Sequence, residues 1–156
     1  MSLTYAQKDV AQFMRTAGQT VRETPTVPEM TRAQRTYLGH VVDAMIQTAE
    51  LAKSIALVSP SEQSLRVRLL TEELAELVEA ICDGDLVGIA DGTTDLSVVN
   101  IGTMCTFGLP AGPLWDEVHA SNMSKFVDGK ALKDASGKVI KGPGYFKADC
   151  AAVMHS

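Results

Sequence analysis

No lysine or arginine lies between Arg68 and Lys125, although the chain carries 14 such residues in all. Local ion pairs are therefore not expected to supply partners for acids inside that stretch. Other scarcities narrow the class. The three cysteines, Cys82, Cys105 and Cys150, are odd in number and lack ligand spacing, which points to reduced thiols and a cytoplasmic setting. The three histidines, His40, His119 and His155, have no His or Cys neighbour at metal spacing, so no zinc site is read. No apolar run reaches the length of a membrane span, and the N-terminus has no signal-peptide core. The net charge of −5 argues against binding polymeric nucleic acid, while a bound cation would still permit a nucleotide. Internal repeats and low-complexity tracts are absent.

What is present is a helical texture. At 156 residues the chain is expected to be one domain, with an N-terminal helix and extended arm over 1–30, a helical bundle over 31–124 and a tail over 125–156. The first helix is predicted from about Tyr5 to Thr16, ended by Gly18. Pro25 and Pro28 forbid a helix between them. A long helix follows from about Thr31 to Leu57, with Leu38, Val41, Val42, Met45, Ala49 and Ala52 as its apolar positions. Ser61 or Ser64 caps a third helix running to Cys82. Asp85, just after Gly84, caps a fourth from Leu86 to Phe107, which Gly108 and Pro110 stop. A fifth runs from about Ala111 to Asn122. The tail reads as a small hairpin around 133–138 and a rigid loop over 141–145. The expected class is therefore all-α: a four- to five-helix bundle with a short hairpin or loop tail. Its broad apolar faces suggest a homodimer or homotetramer.

Two acidic clusters stand on the third and fourth helices. The first is Glu72, Glu73 and Glu76, with Glu79 a turn further on; the second is Asp91 and Asp95. Carboxylates a turn apart point the same way. For the glutamates there is an ordinary reading: Leu70, Leu74, Leu77, Val78 and Ile81 form an apolar stripe, and the acids opposite are the solvated face of an amphipathic helix. The aspartates do not fit it. Asp91 and Asp95 are in line with Val98, Val99 and Gly102, so they extend an apolar stripe, where acids need partners. Helix capping is the alternative for Asp91, but Asp85 is the better cap. Two such helices packed antiparallel would aim several carboxylates at one point, which is costly unless a cation sits between them. Hard oxygen donors of this kind suit Mg²⁺ or Mn²⁺, and Mg²⁺ commonly accompanies a phosphorylated substrate. Downstream, Asn122, Lys125 and Lys141 are candidate phosphate-binding groups.

The strings Leu70-Thr71-Glu72-Glu73-Leu74-Ala75-Glu76 and Asp91 to Asp95 resemble the MazG-like all-α nucleoside triphosphate pyrophosphohydrolases. The segments 118–125, 137–139 and 141–145, with Phe13 to Gln19, Pro25 and Pro28, are similar to its phosphoribosyl-ATP pyrophosphohydrolase-like branch, found in bacteria and phages. One departure stands out. The superfamily's second element is Glu-x-x-Asp, yet Gly92 precedes Asp95 at that spacing and Gly88 precedes Asp91. The resemblance implies Mg²⁺-dependent (or Mn²⁺-dependent) cleavage of a (d)NTP to its monophosphate and pyrophosphate, with two or three ions per site. It leaves open (d)GTP, a pyrimidine dNTP, or phosphoribosyl-ATP itself, and also a bundle that binds nucleotide without turnover. It implies Glu73, Glu76, Asp95 and Asp91 as metal ligands and Glu72 as the group that orients or deprotonates water or holds an additional ion. An apolar base pocket is expected near Phe13, Gln19 and Trp115.

Overall fold

A computed structural model describes residues 3–155, and among these the chain is all-helical. Six helices follow in order: α1 Leu3–Thr16, α2 Arg32–Val58, α3 Glu62–Asp83, α4 Leu86–Thr106, α5 Ala111–Met123 and the short α6 Cys150–Met154. The residues group into two compact units, one of 24–107 and one joining 1–23 to 108–156. This grouping differs from the expected arm, bundle and tail. The breaks fall where the backbone leaves helix, at the Pro25 to Pro28 stretch and at Gly108 with φ +63°.

The unit of 24–107 is an antiparallel run of α2, α3 and α4. Thr31 and Ser61 each build a capping box, with Gln34 and Ser64 closing them. Gly84 ends α3 in the left-handed conformation at φ 73°, and Asp85 Oδ1 then accepts from the Val87 amide to start α4. Helices α2 and α3 meet through small side chains: Val42, Ala49 and Ala52 on one, Ala75 and Cys82 on the other, are the buried residues. Arg35 Nη1 donates to the carbonyls of Cys82 at 3.0 Å and Asp83 at 3.3 Å, a cation on the carbonyl end of α3. No large side chain in this unit is fully buried, and many apolar ones remain in water.

The other unit contains α1, α5, the tail and α6. Trp115 Nε1 donates to Asp9 Oδ2 at 2.8 Å, joining α5 to α1, and the Phe13 and Phe126 rings lie 5.2 Å apart. The tail folds back onto α5: the buried Ser121 hydroxyl donates to the Phe146 carbonyl at 2.8 Å. The expected hairpin is reduced to single bridges, Val127 with Lys130 and Lys133 with Val139. Asp134 Oδ1 accepts from Ser136 N, Ser136 Oγ and Lys138 N, and these bonds hold its carboxyl below the usual range.

Candidate active site

Three glycines let α4 approach α3 closely. A Cβ on Gly92 would stand 3.2 Å from the Leu77 Cα, one on Gly88 3.1 Å from the Ala80 Cβ, and one on Gly102 2.9 Å from Arg66 Nη1. These neighbours define an antiparallel register of Ala80 with Gly88, Leu77 with Gly92 and Arg66 with Gly102. Continued by one turn, the same register sets Asp95 across from Glu73. The departure from Glu-x-x-Asp thereby has a physical reason. A side chain at 92 would meet Leu77 backbone, so no glutamate fits there while the helices keep this spacing.

The electrostatics agree with that register. Burial raises the Glu73 carboxyl above its ordinary value, and the charges of Glu76, Asp95, Glu72 and Asp91 raise it further. Four acids from the two clusters thus act on Glu73. Their environments are unequal. Glu72 and Glu73 are half-buried, whereas Glu76, Glu79, Asp91 and Asp95 are exposed. The aspartates are therefore not the half-buried acids that the apolar stripe suggested. The glycines that bring α4 near leave its flank open to water.

Glu72 is different again. Arg68 Nε donates to both of its carboxylate oxygens, at 3.1 and 3.2 Å, one turn along α3. Local pairing thus does reach one acid of the cation-free stretch, because Arg68 at its edge lies at i−4 from Glu72. Arg66 is a second cation on the same helix, half-buried against Gly102. It lies two turns before Glu73 along α3.

As a donor set, these carboxylates fit a hard divalent ion in chemistry and in layer. As placed, they do not yet make a cage: among the described residues no three His, Cys, Asp or Glu side chains are grouped to hold a metal ion. The exposed Glu76, Asp91 and Asp95 have no hydrogen bond or ion pair holding them in their present rotamers among the described residues.

The remaining candidates belong to the other unit. Lys125 Nζ donates to Asn122 Oδ1 at 2.7 Å, and Lys141 Nζ lies 4.5 Å from the Tyr145 ring centre. Ser121 and Ser124 are occupied by the tail, since Ser124 Oγ donates to Ser121 O and accepts from the Phe146 amide. Phe13 packs on Phe126, Trp115 bonds to Asp9, and Gln19 is exposed. A cavity of about 500 Å³ occurs elsewhere, in the unit of 24–107, lined by Val27, Pro28, Tyr37, Leu38, Ile81 and Ile89 among others. None of Phe13, Gln19 or Trp115 lines it.

The comparison with protein families places the chain among the MazG-like all-α NTP pyrophosphohydrolases. Within that superfamily it belongs to the phosphoribosyl-ATP pyrophosphohydrolase family, which it matches over residues 10–122. The matched segment includes both acidic clusters. No curated protein and no solved structure gave a significant match to the chain. No helix among the described residues is long and apolar enough to cross a membrane. Family membership makes the protein a pyrophosphohydrolase.

Proposed function

We propose that the whole chain works as one cytoplasmic, Mg²⁺-dependent domain that cleaves a nucleoside triphosphate between its α and β phosphates, releasing a monophosphate and pyrophosphate. The observation that carries this reading is the crowding of Glu73 by the charges of Glu76, Asp95, Glu72 and Asp91. Such a set is unfavourable in the bare protein and becomes favourable around cations. Glu73, Glu76 and Asp95, with Asp91, would hold two or three ions; Mn²⁺ could replace Mg²⁺. Bound ions of this kind neutralise phosphate charge and make coordinated water more acidic. Glu72, aimed by Arg68, takes the proton of the attacking water or orients it. Asn122, Lys125 and Lys141 are candidate phosphate-binding groups. Gln19, with an amide that both donates and accepts, is a candidate reader of the base, alongside Phe13 and Trp115. The assembly is a homodimer or homotetramer.

A second reading, hydrolysis of phosphoribosyl-ATP, is favoured by the family match itself. It uses the same bond cleavage on an N-ribosylated nucleotide. One panel separates the two. The protein is incubated with Mg²⁺ and each (d)NTP, (d)GTP and the pyrimidine dNTPs included, and with phosphoribosyl-ATP, and the released phosphate species are identified. Pyrophosphate from a (d)NTP supports the first reading, and pyrophosphate from phosphoribosyl-ATP alone supports the second. Release of orthophosphate without pyrophosphate contradicts both. Tight nucleotide binding with no turnover would make the protein a binding module.

A further inference from the structure

Two local costs meet at one point between α3 and α4. Gly102 sits inside α4, where a glycine weakens a helix. Arg66, opposite it on α3, is a half-buried cation with no hydrogen bond or ion pair among the described residues. The second residue explains the first. A Cβ at 102 would stand 2.9 Å from Arg66 Nη1, so the missing side chain leaves a seat for the guanidinium. Folding alone gives no reason to seat a charge there. A surface arginine needs no such seat, and a leucine or methionine would cover the same apolar surface with no charge to desolvate. Local rules broken together mark a place where function is expected.

We infer that Arg66 is the phosphate-binding cation of the unit of 24–107, closing its planar fork on the pyrophosphate half of the substrate. This deepens the proposed function and rests on its polyphosphate held through divalent cations. Elimination is the first argument. The unit has five basic residues. Arg35 is committed to the carbonyls of Cys82 and Asp83, Lys53 pairs with Glu50, and Arg68 holds Glu72. Arg32 stands exposed in the first turn of α2, which meets the C-terminal end of α3, the end opposite Arg66. Among the described residues of this unit, Arg66 is the one cation both half-buried and unengaged.

Position is the second. Arg66 precedes Glu73 by seven residues, and Gly102 follows Asp95 by seven. Seven residues are two turns, so each pair shares a helix face and lies about 10 Å apart along the axis. The register that sets Asp95 across from Glu73 therefore puts the guanidinium on the same line between the helices. Phosphates attached to a cation at the carboxylates would extend along that line toward Arg66. Chemistry is the third. Hydrolysis between the α and β phosphates frees pyrophosphate, the more highly charged of its two products. A guanidinium offers two parallel N–H donors to a pair of phosphate oxygens and stays charged at every working pH. Pyrophosphate leaves from a (d)NTP and from phosphoribosyl-ATP alike, so this role is the same on either substrate.

The test is calorimetry on the full-length protein in two titrations, Mn²⁺ alone and then pyrophosphate at saturating Mn²⁺. Arg66→Ala should weaken pyrophosphate binding roughly tenfold to a hundredfold and leave Mn²⁺ binding as it was. Arg66→Lys keeps the charge without the fork, so its loss should be smaller but measurable. Arg32→Ala should match the wild type in both titrations. Unchanged pyrophosphate affinity in Arg66→Ala overturns the inference. So does an equal loss of Mn²⁺ binding, which would make Arg66 a support for the acids and not a ligand of phosphate. Should Arg66→Ala lose helix by circular dichroism, Arg66→Lys decides, and wild-type pyrophosphate affinity there overturns the inference. A wild type that takes up Mn²⁺ but no pyrophosphate overturns this role alone. A wild type that binds no Mn²⁺ overturns the proposed metal site, and this role with it.

Discussion

The two compact units treat charge in opposite ways. In the segment 24–107 acids outnumber bases twelve to five, while in the flanking stretches bases outnumber acids nine to seven. The contrast extends to how the candidate groups are satisfied. Lys125 already has Asn122, Lys141 has the Tyr145 ring and Trp115 has Asp9. Of Glu72, Glu73, Glu76, Asp91 and Asp95, only Glu72 has a cation in a salt bridge among the described residues. Neutral and aromatic partners leave the lysines' charge intact, whereas the neighbouring carboxylates disfavour the charged form of Glu73. In one unit the candidate groups have partners, and in the other the proposed function gives the acids theirs, a divalent cation.

The strongest way to break this contrast is to neutralise the acids. Glu76→Gln or Asp95→Asn should lower metal-dependent pyrophosphate release by more than about a hundredfold, beyond what loss of a supporting residue costs. Melting temperature without metal should hold or rise, since repulsion is relieved. Near-wild-type rates in both variants would remove these residues from the chemistry. On the other side, Lys125→Ala should weaken triphosphate binding roughly tenfold to a hundredfold, read by calorimetry at fixed metal concentration. Unchanged affinity would confine Lys125 to its bond with Asn122.

The glycines sharpen the comparison within the acidic unit. Gly92→Ala should cost about 1–3 kcal/mol by overpacking α4 on Leu77. Gly39→Ala, with open space around it, should gain roughly 0.4–1 kcal/mol through the unfolded chain. Thermal melts of the pair would show opposite signs, and equal shifts would contradict the close α3–α4 contact. The smallest effect concerns pH. Glu73 has a raised folded value, so the folded protein holds its proton more tightly than the unfolded chain does. This group therefore leaves stability untouched at pH below its unfolded value near 4.5 and erodes it as pH climbs through the folded value. Glu73→Gln should abolish that decline, giving a slightly higher melting temperature at neutral pH than the wild type and no gain at pH 4. Added Mg²⁺ should narrow the difference by raising the wild type.

The helices of this protein were legible because their punctuation is local. Thr31, Ser61, Gly84, Asp85 and Gly108 each mark an end, and the observed boundaries stay within two residues of those expected. The five-residue α6 escaped notice, having only Asp149 as a cap and no apolar period. The acidic pairing was legible too, since spacing alone sets two clusters on facing helices. What spacing could not give was depth. Whether Asp91 and Asp95 sit in apolar surroundings depends on how much of α4 is covered, and the glycines that bring it close leave those acids in water. Nor could it show that Ser121 and Ser124 serve the tail, because their partner, Phe146, is more than twenty residues away.

Helix α2 has apolar residues on two adjacent sides, an inner one with the buried Val42, Ala49 and Ala52 and an outer one with the exposed Tyr37, Val41, Leu51, Ile55 and Val58, and this makes Arg35 more consequential than its position suggests. A turn of the helix by one residue, about 100°, would trade the inner side for the outer one, and both are greasy enough to be buried. Only specific polar anchors can tell such alternatives apart. By fastening the first turn of α2 to the carbonyls of Cys82 and Asp83, Arg35 acts as a rotational pin. It turns the small residues toward α3 and the bulky ones outward.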